Sequence, residues 1–239
     1  MADPDGLPGR GTPAVLSLVT AGLLVLGASC TSDSPSNDAN ATDAASVAPT
    51  RLVEPAAIDT GSTRSNLSDQ EIAGLVWIRE EEQLAHDVYV ALGDLWGLRI
   101  FENIASSETT HVQAVVDLLD RYGIDDPAAG NEPGTFTDPA LQLLYDELTT
   151  QGSESLDAAL AVGASIEELD IVDLRARADA TAETEIITVY NHLERGSRNH
   201  LRAFMSQLDR RGGTYEPTQL DQEVFDAIVA SDSERGPGS

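Results

Sequence analysis

The chain has no lysine. All 14 of its basic residues are arginine, they face 41 acidic residues among 239, and the formal net charge is −27. Nucleic acids and anionic membrane surfaces are recognised through cationic patches, so this deficit of positive charge argues against both as partners. A single cysteine, Cys30, excludes an intramolecular disulfide and any metal site built from cysteine thiolates. Long apolar stretches are equally scarce, and the one at residues 14–29 is too short for a membrane span. What remains is 41% hydrophobic residues spread through periodic runs, enough for the sizeable core of one domain.

The run AVLSLVTAGLLVLGAS ends in small residues, and Gly27-Ala28-Ser29-Cys30 resembles the cleavage box of bacterial lipoproteins, in which Cys30 becomes the lipidated first residue of the mature protein. The resemblance implies a signal peptide over 1–30 and an extracytoplasmic chain that meets the membrane through its lipid anchor only. Residues 31–66, rich in Ser, Thr, Asp, Asn, Ala and Pro, have the composition of a disordered linker, and a disordered tail is expected over 229–239.

Between them, residues 67–228 read as helices. Ser68-Asp69-Gln70-Glu71 is a capping box, and the first long helix carries the stripe Leu75, Ile78, Glu82, Ala85, Tyr89, Leu92. A brief turn around Gly97 starts a second helix, antiparallel to the first, on which Glu108 and His111 share a face with Ile104, Val115 and Leu118. About thirty residues follow, holding one short helix begun by Asp138 and Pro139, a length that suits a crossover along a bundle. The third long helix places Glu167 and Asp170 on its apolar stripe, and the fourth places Ser197 and His200 there. Carboxylates and imidazoles do not lie on buried stripes unless something neutralises them, because an unpaired buried charge costs several kcal/mol or must take or lose a proton. A metal cation is one candidate. His86 and His192 fall beside the stripes, Tyr89 and Tyr190 read first as core packing and second as hydrogen-bonding or redox groups, and Glu80, Glu81 and Glu168 read as solvated unless a rotation of the helix brings one to a ligand position.

Two hairpins joined by one crossover, each helix offering acid or imidazole inward, form the pattern of ferritin-like di-metal carboxylate proteins. The spacing in Glu82-Gln83-Leu84-Ala85-His86-Asp87-Val88-Tyr89 resembles the first helix of the rubrerythrin branch. FENIASSETTHVQAV, IEELDI and GSRNHLRAF are similar to phrases of the family labelled domain of unknown function 2202. The resemblance implies an all-α, ferritin-like four-helix bundle and the ligands Glu82, Glu108, His111, Glu167 and His200. Where the pattern asks for Glu three residues before the last histidine, this chain has Ser197, and Asp170, one turn after Glu167, is the expected substitute. Four carboxylates and two imidazoles suit two metal ions, iron first and manganese second.

The function so implied is an oxidoreductase acting on peroxide or dioxygen, or a ferroxidase. With no rubredoxin-like cysteine module, electrons would come from a separate donor or from ferrous iron itself. Two alternatives stand beside it, a metal-binding or metal-buffering lipoprotein without turnover and a structural bundle whose polar core holds no metal and whose surface binds a partner. A homodimer is compatible with each.

Overall fold

The structure, a computed structural model, describes residues 67–235. The expected signal peptide, the lipidation site Cys30 and the linker to residue 66 lie outside the described residues. Those described form six α-helices and no strand: α1 (Asp69–Trp96), α2 (Arg99–Tyr122), α3 (Pro139–Gly152), α4 (Leu156–Asp179), α5 (Thr184–Arg211) and α6 (Gln222–Ala230).

Each boundary has a local cause. The Glu71 N–H donates to Ser68 Oγ at 3.3 Å while the Ser68 N–H donates to the Glu71 carboxylate at 2.7 Å, which satisfies two otherwise unpaired donors at the start of α1. At Gly97 the backbone turns left-handed (φ 64°), which a residue without Cβ adopts without strain, and Leu98 alone then separates the cap from α2. So short a link makes α1 and α2 antiparallel neighbours. The Asp138 carboxylate accepts from the Ala140 N–H at 2.8 Å, with Pro139 in the first turn of α3.

The helices α1 and α2 pair along their length, as do α4 and α5. Contacts of α1 with α4 and of α2 with α5 close the four into a bundle, α3 lies across α1 and α4, and α6 rests on α5. The apolar core falls into two clusters. One gathers Leu84, Val88, Tyr89, Phe101, Ile104, Leu160, Ile171, Leu201 and Phe204. The other gathers Leu75, Ile78, Val115, Leu119, Leu174, Ile186, Tyr190 and Leu193. Between the two sets every long helix places its acidic, hydroxyl or imidazole residues, so the bundle has a polar waist. Full burial of each Leu or Phe stabilises the fold by about 1.5–3 kcal/mol, and this offsets what the waist costs. On one side the waist meets the rings of Tyr89, Phe101 and Phe204, whose centroids lie 5.3–6.4 Å apart. Gly163 makes room there, because a side-chain carbon on it would run into the Phe204 ring.

Among the described residues no helix is long and apolar enough to cross a membrane. Of the tail expected to be disordered over 229–239, residues 229–235 are described: the first two end α6, and Glu234 is held against α5. Its carboxylate accepts from Arg198 at 2.6 and 2.8 Å and from Arg202 at 2.7 Å, and its backbone oxygen accepts from Asn199 at 3.1 Å. Two guanidinium forks on one face of α5 supply a counter-charge that a survey of tail composition does not register.

Candidate metal centre

Glu82 on α1, Glu108 and His111 on α2, Glu167 and Asp170 on α4 and His200 on α5 all lie in the waist and are buried. His111 Nδ1 is 3.1 Å from Glu82 Oε2 and 2.7 Å from Glu108 Oε2. His200 Nδ1 is 2.8 Å from Glu108 Oε1 and 3.5 Å from Glu167 Oε2. Two trios result, Glu82 with Glu108 and His111, and Glu108 with Glu167 and His200, each with its donor atoms within 4.8 Å of one another. Glu108 belongs to both and turns one oxygen to each histidine. The two imidazole rings stack with centroids 5.6 Å apart.

The charges alternate. Burial works against the charge of Glu108, but the His111 and His200 imidazoliums beside it outweigh burial and hold its carboxyl far below the usual range. Burial likewise opposes the charge of His200, yet Glu167 and Glu108 push it up to about 10. His111, between Glu108 and Glu82, is also raised well above its ordinary value against the effect of burial. At the edges of the cluster burial wins. It lifts Glu82 to about 7 despite His111, and it raises Glu167 despite His200. Asp170 goes well above its ordinary value through burial and then through the fields of Glu82 and Glu167. Metal-free, the waist therefore retains protons that a cation would displace.

Contact between these groups is closer than their hydrogen bonding. The approaches of both histidines to Glu108 are short enough for ion pairs, but neither donor points along its line, so both oxygens of Glu108 and the Nδ1 of His200 lack an aligned partner. Glu167 Oε2 and both oxygens of Asp170 are buried without a partner as well. Buried polar atoms are nearly always satisfied, and this concentration of unsatisfied carboxylate oxygens around imidazole nitrogens fits a divalent cation of the iron or manganese kind.

Neighbouring residues fix the donors. The Tyr89 hydroxyl donates to Glu167 Oε1 at 2.6 Å. Ser107 Oγ pairs with His200 Nε2 at 3.0 Å and so leaves Nδ1 facing the carboxylates. Ser197 is buried, its hydroxyl donating to the Leu193 carbonyl at 3.3 Å, and it adds no carboxylate from α5. Gly196 sits against the other imidazole, where a side-chain carbon would lie 2.5 Å from His111 Nε2. Asp170 faces Glu82 and Glu167 from one turn away but joins neither trio.

Three acids expected to be solvated are buried. Glu80 accepts from the Thr137 and Asp138 N–H groups at the start of α3, and Glu168 Oε2 accepts from the N–H groups of Thr218, Gln219 and Leu220 at 2.8–3.0 Å. These two satisfy backbone donors of the crossover and of the segment before α6. Glu81 has no such partner, and both its oxygens are buried and unpaired. His192 is exposed, and His86 pairs with Asp87 at 2.8 Å away from the trios. Tyr89, read as packing, is also a donor to the site. Its spacing of seven from Glu82, two helical turns, was the signal available for that.

Fold and site together define an all-α bundle protein with a carboxylate and histidine cluster at its waist. The chain belongs to the family described as Uncharacterized protein domain (DUF2202), whose model matches residues 71–232. It is 45% identical over 170 residues to the uncharacterized protein MJ0754 of Methanocaldococcus jannaschii, an alignment that covers 71% of this chain and 92% of that one. The crystal structure of the hypothetical protein MJ0754 is similar with a TM-score of 0.70 at 44% identity, covering 71% of this chain and 97% of that one.

Proposed function

We propose that this chain is a ferritin-like two-ion carboxylate protein that binds iron, or iron with manganese, and acts as an oxidoreductase on peroxide or dioxygen or as a ferroxidase. The observation that carries the reading is the pair of buried trios sharing Glu108. Glu82, Glu108 and His111 would hold one ion, and Glu108, Glu167 and His200 the other, with Asp170 outside both trios as the neighbouring carboxylate. Bound iron would supply the change of oxidation state and a position open to a small oxidant.

The chain's own residues do the rest. Glu108 ties the two positions together, and the Tyr89 hydroxyl and Ser107 hold Glu167 and His200 in orientation. The apolar clusters on either side limit water at the waist, which strengthens every charge interaction inside it. His111 and His200, imidazoliums without metal, and Glu82 and Asp170, both raised toward the neutral form, are the groups from which a cation would expel protons on binding.

The test is the metal content of protein purified without added metal, followed by oxidation of stoichiometric Fe(II) under air. Two ions per chain and Fe(II) oxidation faster than in buffer are expected. Binding without oxidation would leave a metal-buffering protein. No binding would favour the metal-free polar core, a reading supported by the imidazoliums that already neutralise Glu108.

A further inference from the structure

The waist does not end at the two trios. Toward the N-terminal end of α1 and the C-terminal end of α4 it continues into Asp170 and Glu81, only 1% and 2% exposed, and all four of their carboxylate oxygens lack a partner. Glu80 and Glu168, equally buried, show what the fold does with an internal carboxylate that serves structure: each is engaged by two or three backbone N–H groups. No backbone group engages Asp170 or Glu81, and the indole N–H of Trp77, the polar neighbour of Glu81, is itself without an aligned partner. Leaving a buried acid unsatisfied costs free energy that a merely structural position does not require.

Their placement gives the cost a use. Glu167, Asp170 and Asp173 follow one another at intervals of three on α4, each roughly 4.5 Å farther along the axis than the last and turned about 60° from it, so the series runs from the buried core to a partly exposed position. Asp170 lies in the field of Glu82, Glu167 and Glu108 on the core side and of Glu81 on the other, while Glu81 lies in the field of Asp173 and Arg177. Asp173 and Arg177 form a pair at 3.4 Å, 26% and 28% exposed, and the Arg177 guanidinium lies over the Trp77 ring at 5.8 Å. Carboxylates thus lead from the partly exposed Asp173 and Arg177 pair, the mouth of the series, past Glu81 and Asp170, to the trios.

We propose that Glu81 and Asp170 form an internal station for a hard divalent cation, such as Fe(II) or Mn(II), on its way from the Asp173 and Arg177 mouth to the two-ion core. The inference rests on the two-ion reading and adds the route of filling. At the mouth Arg177 neutralises Asp173, so a cation passes when the guanidinium leaves Asp173 for solvent. Beyond it, the unpaired oxygens of Glu81 and Asp170 replace water ligands one at a time, and no step needs a bare ion in the apolar interior.

The experiment follows Co(II) uptake by the metal-free full chain in a stopped-flow spectrometer, together with the number of ions retained after desalting. Glu81→Gln keeps the shape and removes the charge. Glu147→Gln, on the exposed face of α3, removes the same charge away from the route. Uptake by Glu81→Gln slowed about tenfold or more, with the retained number unchanged and Glu147→Gln matching the unsubstituted chain, supports the station. Asp173→Asn, partly exposed and tolerant of change, should slow uptake in the same sense and serves if Glu81→Gln does not fold. Uptake at the unsubstituted rate in both route variants overturns the proposal. Loss of a retained ion in Glu81→Gln overturns it too, because Glu81 would then be a ligand of the core. If the unsubstituted chain retains no Co(II), the two-ion reading fails and the station with it, an outcome recognisable before any variant is made.

Discussion

Glu108 carries more of the molecule than any other residue. In the metal-free state it is the anion between two imidazoliums, and in the proposed holo state it is the ligand both ions share. Glu108→Leu preserves volume and removes both roles. In chelator the variant should lose about 1–3 kcal/mol, the cost of leaving hydrogen-bonding groups without their partner, although Glu82 and Glu167 remain beside the two histidines. In Mn(II) at a hundredfold excess over its Kd the unsubstituted protein should gain about 2.7 kcal/mol by binding to the folded state alone, and the variant little of it. Chemical denaturation under the two conditions gives both numbers. Equal gain in the two proteins would remove Glu108 from the metal-binding set.

At the scale of elements, the acids divide by what reaches them. Glu168 gathers three backbone N–H groups of the segment between α5 and α6. Glu168→Ala should cost about 1–3 kcal/mol through the orphaned donors and leave metal content unchanged, whereas Glu108→Leu costs a similar amount and loses metal as well. Paired measurement of stability and bound metal distinguishes them. The long helices were legible in the sequence because their causes are local: Ser68 with Glu71, Gly97, Asp138 with Pro139, and Gly212 each end or begin a helix through residues within a turn. So were Glu82, Glu108, His111, Glu167 and His200 as inward-facing residues, since a helical period places them on apolar stripes. Glu80 and Glu168 were not, because their partners lie 50 or more residues away, in chain that folds back over the bundle. No periodicity along one helix reports a loop arriving from elsewhere. Glu81 was missed for another reason: in the run Glu80-Glu81-Glu82 all three acids are buried, because α1 is covered by α2, α3 and α4 together and has little solvated face at that level.

For the whole molecule, the buried charges set an unusual dependence on pH. Glu82 titrates at about 7 folded against 4.5 in the open chain, and His200 at about 10 against 6.5. Both hold more protons folded than unfolded, so the stability they add is present at low pH and is lost as pH rises, first from 4.5 to about 7 and then from 6.5 to about 10. Glu108 has the opposite sign, and its contribution is lost as pH falls below 4.5. The melting temperature of the metal-free protein should therefore be highest near about pH 5 and fall toward about pH 9. Saturating Mn(II) should lift the alkaline side most, since binding expels the protons that acid conditions retain. A metal-free melting temperature that climbs steadily between those limits would show that Glu82 and His200 are not protonated as described.

The shared carboxylate also makes the two halves of the bundle unequal. The α1 and α2 hairpin owns a complete trio, with Glu82 and His111 only 29 residues apart in the chain. The α4 and α5 hairpin brings Glu167 and His200 and has to borrow Glu108. An ion held by Glu82, Glu108 and His111 asks only that one hairpin be wound. An ion held by Glu108, Glu167 and His200 is a removable staple between two hairpins, and it can stay only while they are docked. Occupancy of that second position would thus measure cohesion: the strength with which the protein gripped a second ion, and the strength with which that ion gripped the two halves together, would be one quantity seen from opposite ends.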